Sequence, residues 1–175
     1  MKRFKPLLAT AAAALMIGNA AMAEDIPFIG AEVKYHGMEA QEPATRKSYE
    51  DSTAALGLKI GAQNERYRVA LMYDVIADSD EGGGDISQYL FLGTLDYMLP
   101  IEHPTLHPYF GLCLGYGEYE FDKYSDDDFV YGLEGGLVYT VNRHVDVDLF
   151  GRYLWPNIDA VDYYFQAGIG VNYKF

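Results

Sequence analysis

The amino-acid sequence predicts an all-β chain folded as an eight-stranded antiparallel up-and-down transmembrane β-barrel. Three observations predict it. Period-two alternation runs through almost the whole chain, charge and glycine gather on the face opposite the apolar one, and aromatic rings fall toward strand ends. The chain has 175 residues, half of them apolar and 15% aromatic, with 16 Tyr against one Trp. Such a composition is too apolar for a disordered chain, and the length suits one domain. A net charge of −13 argues against nucleic acid as a partner. The single cysteine, Cys113, excludes an intrachain disulfide and a Cys-based zinc cluster. A mean hydropathy of −0.11 taken alone would suggest a soluble protein. The distribution of the apolar residues says otherwise.

The first element is an export signal. Lys2, Arg3 and Lys5 form a basic start, Leu7 to Ile17 an apolar run, and Ala21-Met22-Ala23 a small-x-small cleavage site. The apolar run is too short for a spanning helix. Cleavage after residue 23 is expected to leave a barrel domain over 24–175. That removes three positive charges, so Lys+Arg falls from 13 to 10 against 26 acids and the net charge becomes −16.

The strands follow in order, each with one uncharged face at alternate positions. Segment 27–36 carries Ile29, Ala31, Val33 and Tyr35; segment 53–62, which has no aromatic residue, carries Ala54, Leu56, Leu58 and Ile60. Segment 66–76 follows with Tyr67, Val69, Leu71, Tyr73 and Val75, and 87–99 with Tyr89, Phe91, Gly93, Leu95, Tyr97 and Leu99. Segment 107–118 has Phe110, Leu112, Leu114 and Tyr116, and 129–141 runs from Phe129 through Leu133 to Val141. The last two are 144–154, with Val145, Val147, Leu149, Gly151 and Tyr153, and 163–175, from Tyr163 through Ile169 to Phe175. An apolar face this extensive must meet a protein core or lipid.

The opposite face decides between them. It holds six acids, Glu32, Asp74, Asp96, Glu134, Asp146 and Asp148, and six bases, Lys34, Lys59, Arg66, Arg68, Arg152 and Lys174, interleaved with glycines such as Gly57, Gly111 and Gly170. On a solvent-exposed face, glycine weakens a strand for no packing return. Inside a narrow lumen it gives room to long charged chains that must neutralise one another. The aromatic residues agree: five strands carry Tyr or Phe toward both ends of the apolar face, as two membrane–water interfaces select.

On these features the chain resembles the small outer-membrane β-barrel family, the OmpA/OmpX-like eight-stranded barrel domains. The resemblance rests on the export signal, the strand pattern over 24–175, and the ending Gly170-Val171-Asn172-Tyr173-Lys174-Phe175. It implies a bacterial outer-membrane protein with both termini periplasmic, no cofactor, and contact with membrane lipid and lipopolysaccharide. It also implies that Tyr173 and Phe175 form the signal read by the outer-membrane assembly machinery. The peptidoglycan-binding domain of full OmpA-type proteins is expected to be absent.

Turns are then expected at 63–65, 100–106 and 142–143, and longer outward loops at 37–52, 77–86, 119–128 and 155–162, the asymmetry of bacterial barrels. Acid concentrates in two of those loops: Asp78, Asp80, Glu81 and Asp85, then Glu120, Asp122, Asp126, Asp127 and Asp128. These loops offer a route to a surface partner. Asp78 to Asp85 has carboxylates and glycines in the manner of a calcium loop but lacks its terminal Glu, so a solvated acidic loop is the simpler reading.

Eight strands leave a lumen just wide enough for side chains. A salt-bridged plug built from the twelve charged residues is therefore expected over an open channel. The leading functional expectation is a structural and surface-interaction role. A narrow porin-like channel is the alternative, and a lipid A-modifying enzyme the third reading. Enzymes of that kind use a His–Ser arrangement. The histidines here are His36, His103, His107 and His144, and His144-Val145-Asp146 has Asp where a nucleophilic Ser would stand. His36 with Ser48 or Ser52 is the one pairing left open, and no triad is completed. Catalytic residues and metal ligands are expected to be none. Cys113, between Gly111 and Gly115, is expected to be inert packing.

Overall fold

Eight strands form in chain order: β1 (Ile26–Gln41), β2 (Ser48–Gln63), β3 (Tyr67–Ile76), β4 (Ile86–Met98), β5 (Leu106–Phe121), β6 (Tyr124–Asn142), β7 (Val145–Pro156) and β8 (Val161–Lys174). Each pairs antiparallel with its neighbour in sequence, and β1 pairs with β8 to close a barrel. The computed structural model describes residues 25–41, 48–76, 86–121, 124–157 and 161–175. Residues 1–23, expected to be an export signal, and the acidic stretch 78–85 lie outside the described residues.

Alternation decides which way each side chain points. Along β3 every second residue is buried, from Arg68 through Ala70, Met72 and Asp74 to Ile76, while Tyr67, Tyr73 and Val75 face out. The buried side is the lumen. The outer wall is a continuous apolar surface: Leu58 is 66% exposed, Leu149 61% and Leu133 52%, while charged Asp74 and Asp148 are at 0%. The fold is thus packed inside out, as the sequence predicts.

The turns at one end are short and held by side chains. Asn64 Oδ1 accepts from the backbone N–H of Arg66 and Tyr67 at 2.9 and 2.8 Å, and Asn142 Oδ1 from those of His144 and Val145 at 2.8 and 3.0 Å. Both are Asx turns, in which the amide oxygen stands in for a backbone carbonyl. The longer β4–β5 turn contains two prolines that bring no N–H. Its bonds are Ile101 N–H to Leu99 O and His103 N–H to Ile101 O, and His103 Nδ1 then accepts from Leu106 N–H at 3.1 Å.

Two outward hairpins rise further than the alternation indicates. Residues 37–52 and 119–128 read as loops, yet β1 and β2 stay paired to Gln41↔Ser48, and β5 and β6 to Phe121↔Tyr124. The sequence there carries no sustained apolar alternation, but backbone pairing does not depend on one.

Candidate functional site

The lumen is where chemistry gathers. Eleven of the twelve charged residues singled out in the sequence are buried there. The exception is Arg66, and here the alternation misleads. Arg66 has the same parity as Arg68, but β3 begins at Tyr67. Its backbone belongs to the Asn64 turn, off the pleat, and its side chain is exposed.

Glu32 on β1 is the hub. Arg152 from β7 grips it with two parallel bonds, Nη1 to Oε2 at 2.9 Å and Nη2 to Oε1 at 3.0 Å. Lys34 and Lys59 each reach it at 3.1 Å. Lys34 also meets Asp74 at 2.6 Å, Lys59 meets Asp148, and Arg152 Nε donates to Glu134. Arg68 joins Asp96 at 2.8 Å to Asp148 at 3.1 Å, and Asn172 donates to Asp148 at 2.8 Å. Nearer the short turns, Lys174 pairs with Asp146 at 2.8 Å, and Gln63 donates to the same carboxylate at 3.0 Å. The forked, bidentate geometry is what a guanidinium provides and an ammonium does not.

Glycines make the room. A Cβ on Gly57 would stand 2.5 Å from Asp74 Oδ1 and 3.0 Å from Lys34 Nζ, where no methyl fits beside that ion pair. On the outer wall the reverse holds: a Cβ on Gly151 would meet only Gln166 O, at 3.9 Å. Gly57→Ala is therefore expected to destabilise the barrel by about 1–3 kcal/mol through overpacking, with Gly151→Ala close to neutral. Urea midpoints of the two variants in one vesicle preparation check this, and equal midpoints would contradict it.

Sequence reasoning missed that the lumen is only partly polar. Toward the long hairpins lies an apolar cluster that includes Met72, Leu90, Leu92, Val130, Leu154 and Tyr164, and toward the short turns another of Met98, Tyr109, Val138 and Phe150. The charged residues touch both. Arg152 lies against Met72 Sδ at 3.1 Å and over the Phe150 ring at 4.2 Å, and Arg68 lies over the Tyr109 ring at 4.2 Å. The available signal was the loss of alternation in unbroken apolar runs such as Leu90-Phe91-Leu92 and Leu137-Val138-Tyr139, which mark strands buried on both faces.

Of the remaining candidates, His36 is buried in the lumen, its Nδ1 3.2 Å from Gln166 Nε2, whereas Ser52 lies on the exposed outer side of β2; the Ser48 side chain lies outside the described residues. Cys113 is buried at 0% exposure. Tyr173 sits on the outer wall, stacked on His144 and edge-on to Phe175, whose N–H donates to Pro27 O at 3.1 Å. Rings collect on the same wall at the other end of β6–β8, where Phe129, Tyr131, Trp155, Tyr153 and Tyr163 follow one another at centroid spacings from 4.7 to 6.4 Å.

An apolar outer wall edged with rings around a charged, glycine-lined interior defines a transmembrane β-barrel. The pattern of the outer membrane protein beta-barrel domain matches residues 7–175. The chain belongs to that family, and it is a bacterial outer-membrane protein. Among solved structures it is similar to Neisserial surface protein A (19% identity, TM-score 0.69, covering 85% of this chain and 97% of that one). It is also similar to outer membrane protein H of P. aeruginosa (22% identity, TM-score 0.62, covering 86% and 99%). A third is Ail, the attachment invasion locus protein of Yersinia pestis, in complex with the heparin analogue sucrose octasulfate (17% identity, TM-score 0.59, covering 87% and 99%). At these identities the likeness is one of fold. No curated protein matches the chain.

Proposed function

We propose that this barrel is a non-conducting envelope protein, plugged by its own lumenal ion pairs, that works through its outward hairpins. The observation that carries the reading is the continuity of the ion-pair cluster from Asp74 to Asp96, flanked on both sides by apolar side chains. A water path would have to break buried pairs and wet two apolar layers, and breaking one buried pair alone costs about 3–5 kcal/mol. The outward hairpins carry the unbalanced acid, with Glu118 in register with Asp127 and Gly117 with Asp128. The heparin analogue bound by Ail is a polyanion. Acidic hairpins favour the opposite chemistry, a cationic surface or lipopolysaccharide phosphates bridged by divalent ions. Tyr173 and Phe175 are assigned to recognition by the assembly machinery, and the export segment 1–23 to cleavage. A non-enzymatic role is supported by His36 and Ser52 lying on opposite sides of the wall.

Single-channel recording on refolded 24–175 in a planar bilayer tests the plug, after a heat-modifiable gel shift has established that the barrel is folded. The expected result is no reproducible openings. Steady, ion-selective openings would sink the plug and make the protein a narrow pore.

A further inference from the structure

The lumen holds one more acid than base. Among the described residues, Lys34, Lys59, Arg68, Arg152 and Lys174 share it with Glu32, Asp74, Asp96, Glu134, Asp146 and Asp148. The surplus falls at one place. Asp96 on β4 and Glu134 on β6 are both in register with Gly111 on β5, one on either side of it. The glycine puts nothing between them: a Cβ there would stand 2.1 Å from Asp96 Oδ1. The two carboxyl groups therefore meet above Gly111, within hydrogen-bonding reach. One oxygen of each is already taken, Asp96 Oδ2 by Arg68 Nε at 2.8 Å and Glu134 Oε2 by Arg152 Nε. Asp96 Oδ1 is buried with no donor beside it. Two ionised carboxylates have only acceptors to offer each other, so the contact lacks a hydrogen.

We propose that Asp96 and Glu134 hold a single proton between them over Gly111, a carboxyl–carboxylate pair that brings the ionised lumenal carboxylates to the same number as the lumenal lysines and arginines. Asp96 is the donor, because its Oδ1 is the carboxyl oxygen left without a partner, while Arg68 and Arg152 are each divided between two carboxylates. The groups facing the pair are Arg68 from β3, Tyr109 and Cys113 from β5, and Asp148 and Arg152 from β7. Asp148 is itself bound by Lys59 and Arg68, so no further cation is left to replace the proton.

A proton held only by the folded chain fixes the sign of the pH dependence. In the unfolded chain both carboxyls ionise near about pH 4. Above that range the folded barrel carries one proton more than the unfolded chain. Stability therefore falls as pH rises, by about tenfold in the folding equilibrium per pH unit, until the proton leaves. Asp96→Asn keeps the shape and donates an N–H to Glu134 with nothing to titrate. Urea unfolding of the whole barrel in phospholipid vesicles, from mildly acidic to alkaline pH, should show the wild type falling more steeply than Asp96→Asn by that one proton. Equal slopes would overturn the proposal. So would equal slopes joined to a stability that climbs with sodium concentration, which would place a monovalent cation over Gly111. Infrared spectra of wild type labelled at its aspartate carboxyls give a reading that needs no variant to fold. A protonated-acid carbonyl band at neutral pH, lost at alkaline pH, is expected, and its absence overturns the pair.

Discussion

Glu32→Ala is expected to lower barrel stability by about 3–5 kcal/mol, the range for removing one partner from a buried ion pair. Glu32 binds three cations at once, and its loss leaves Arg152 with Glu134 alone, Lys34 with Asp74 alone and Lys59 with Asp148 alone. The three cations that lose a partner stay shut away from bulk water, because apolar side chains lie on both sides of them. Arg66→Ala, in the exposed turn before β3, should stay within about 0.5 kcal/mol of wild type. Urea unfolding in vesicles, read by the gel shift of the folded form, separates the two. Indistinguishable midpoints would mean that the lumen is wet enough to solvate its charges.

Leu133→Arg tests the other side of the wall. Leu133 faces outward on β6, 52% exposed, between the aromatic rings at Tyr131 and Tyr139. An Arg there meets hydrocarbon, at a cost of about 2–4 kcal/mol near the bilayer midplane. The neighbouring Gly132→Arg fails for a different reason. Even a Cβ on Gly132 would stand 2.2 Å from Tyr153 O and 2.7 Å from Leu154 Cδ2. Bilayer thickness distinguishes the two effects. The cost of Leu133→Arg should shrink in thinner bilayers, where the long side chain reaches the interface, while that of Gly132→Arg should not change. Parallel responses to thickness would reverse the assignment of faces.

Face was legible in the sequence because strand periodicity is an integer: a residue's parity alone sends Leu133 to lipid and Glu134 to the lumen. Neighbourhood was not. The sequence set Arg152 and Glu32 on the same side of the wall, but their meeting across 120 positions depends on strand tilt and barrel closure, which parity does not carry. Three features escaped for the same underlying reason, that alternation reports contrast between two faces. Leu90 and Leu92 have none because both faces of β4 are apolar there, and the tall hairpins have none because polar residues fall at both parities in their sequence. Arg66 keeps the rhythm while its backbone has already left the strand.

The ion pairs also bear on the order of events during assembly. Seven of the eight strand pairings join sequence neighbours, and only β1 with β8 brings the ends of the chain together. Yet among the described residues three of the nine lumenal ion pairs join early strands to late ones: Glu32 on β1 meets Arg152 on β7, and Lys59 on β2 and Arg68 on β3 both meet Asp148 on β7. A sheet that has formed its hairpins but not its seam therefore leaves Asp148 without either of its cations and Arg152 without Glu32, a state that hydrocarbon tolerates poorly. Closing the seam is the step that completes the lumenal charge pairing.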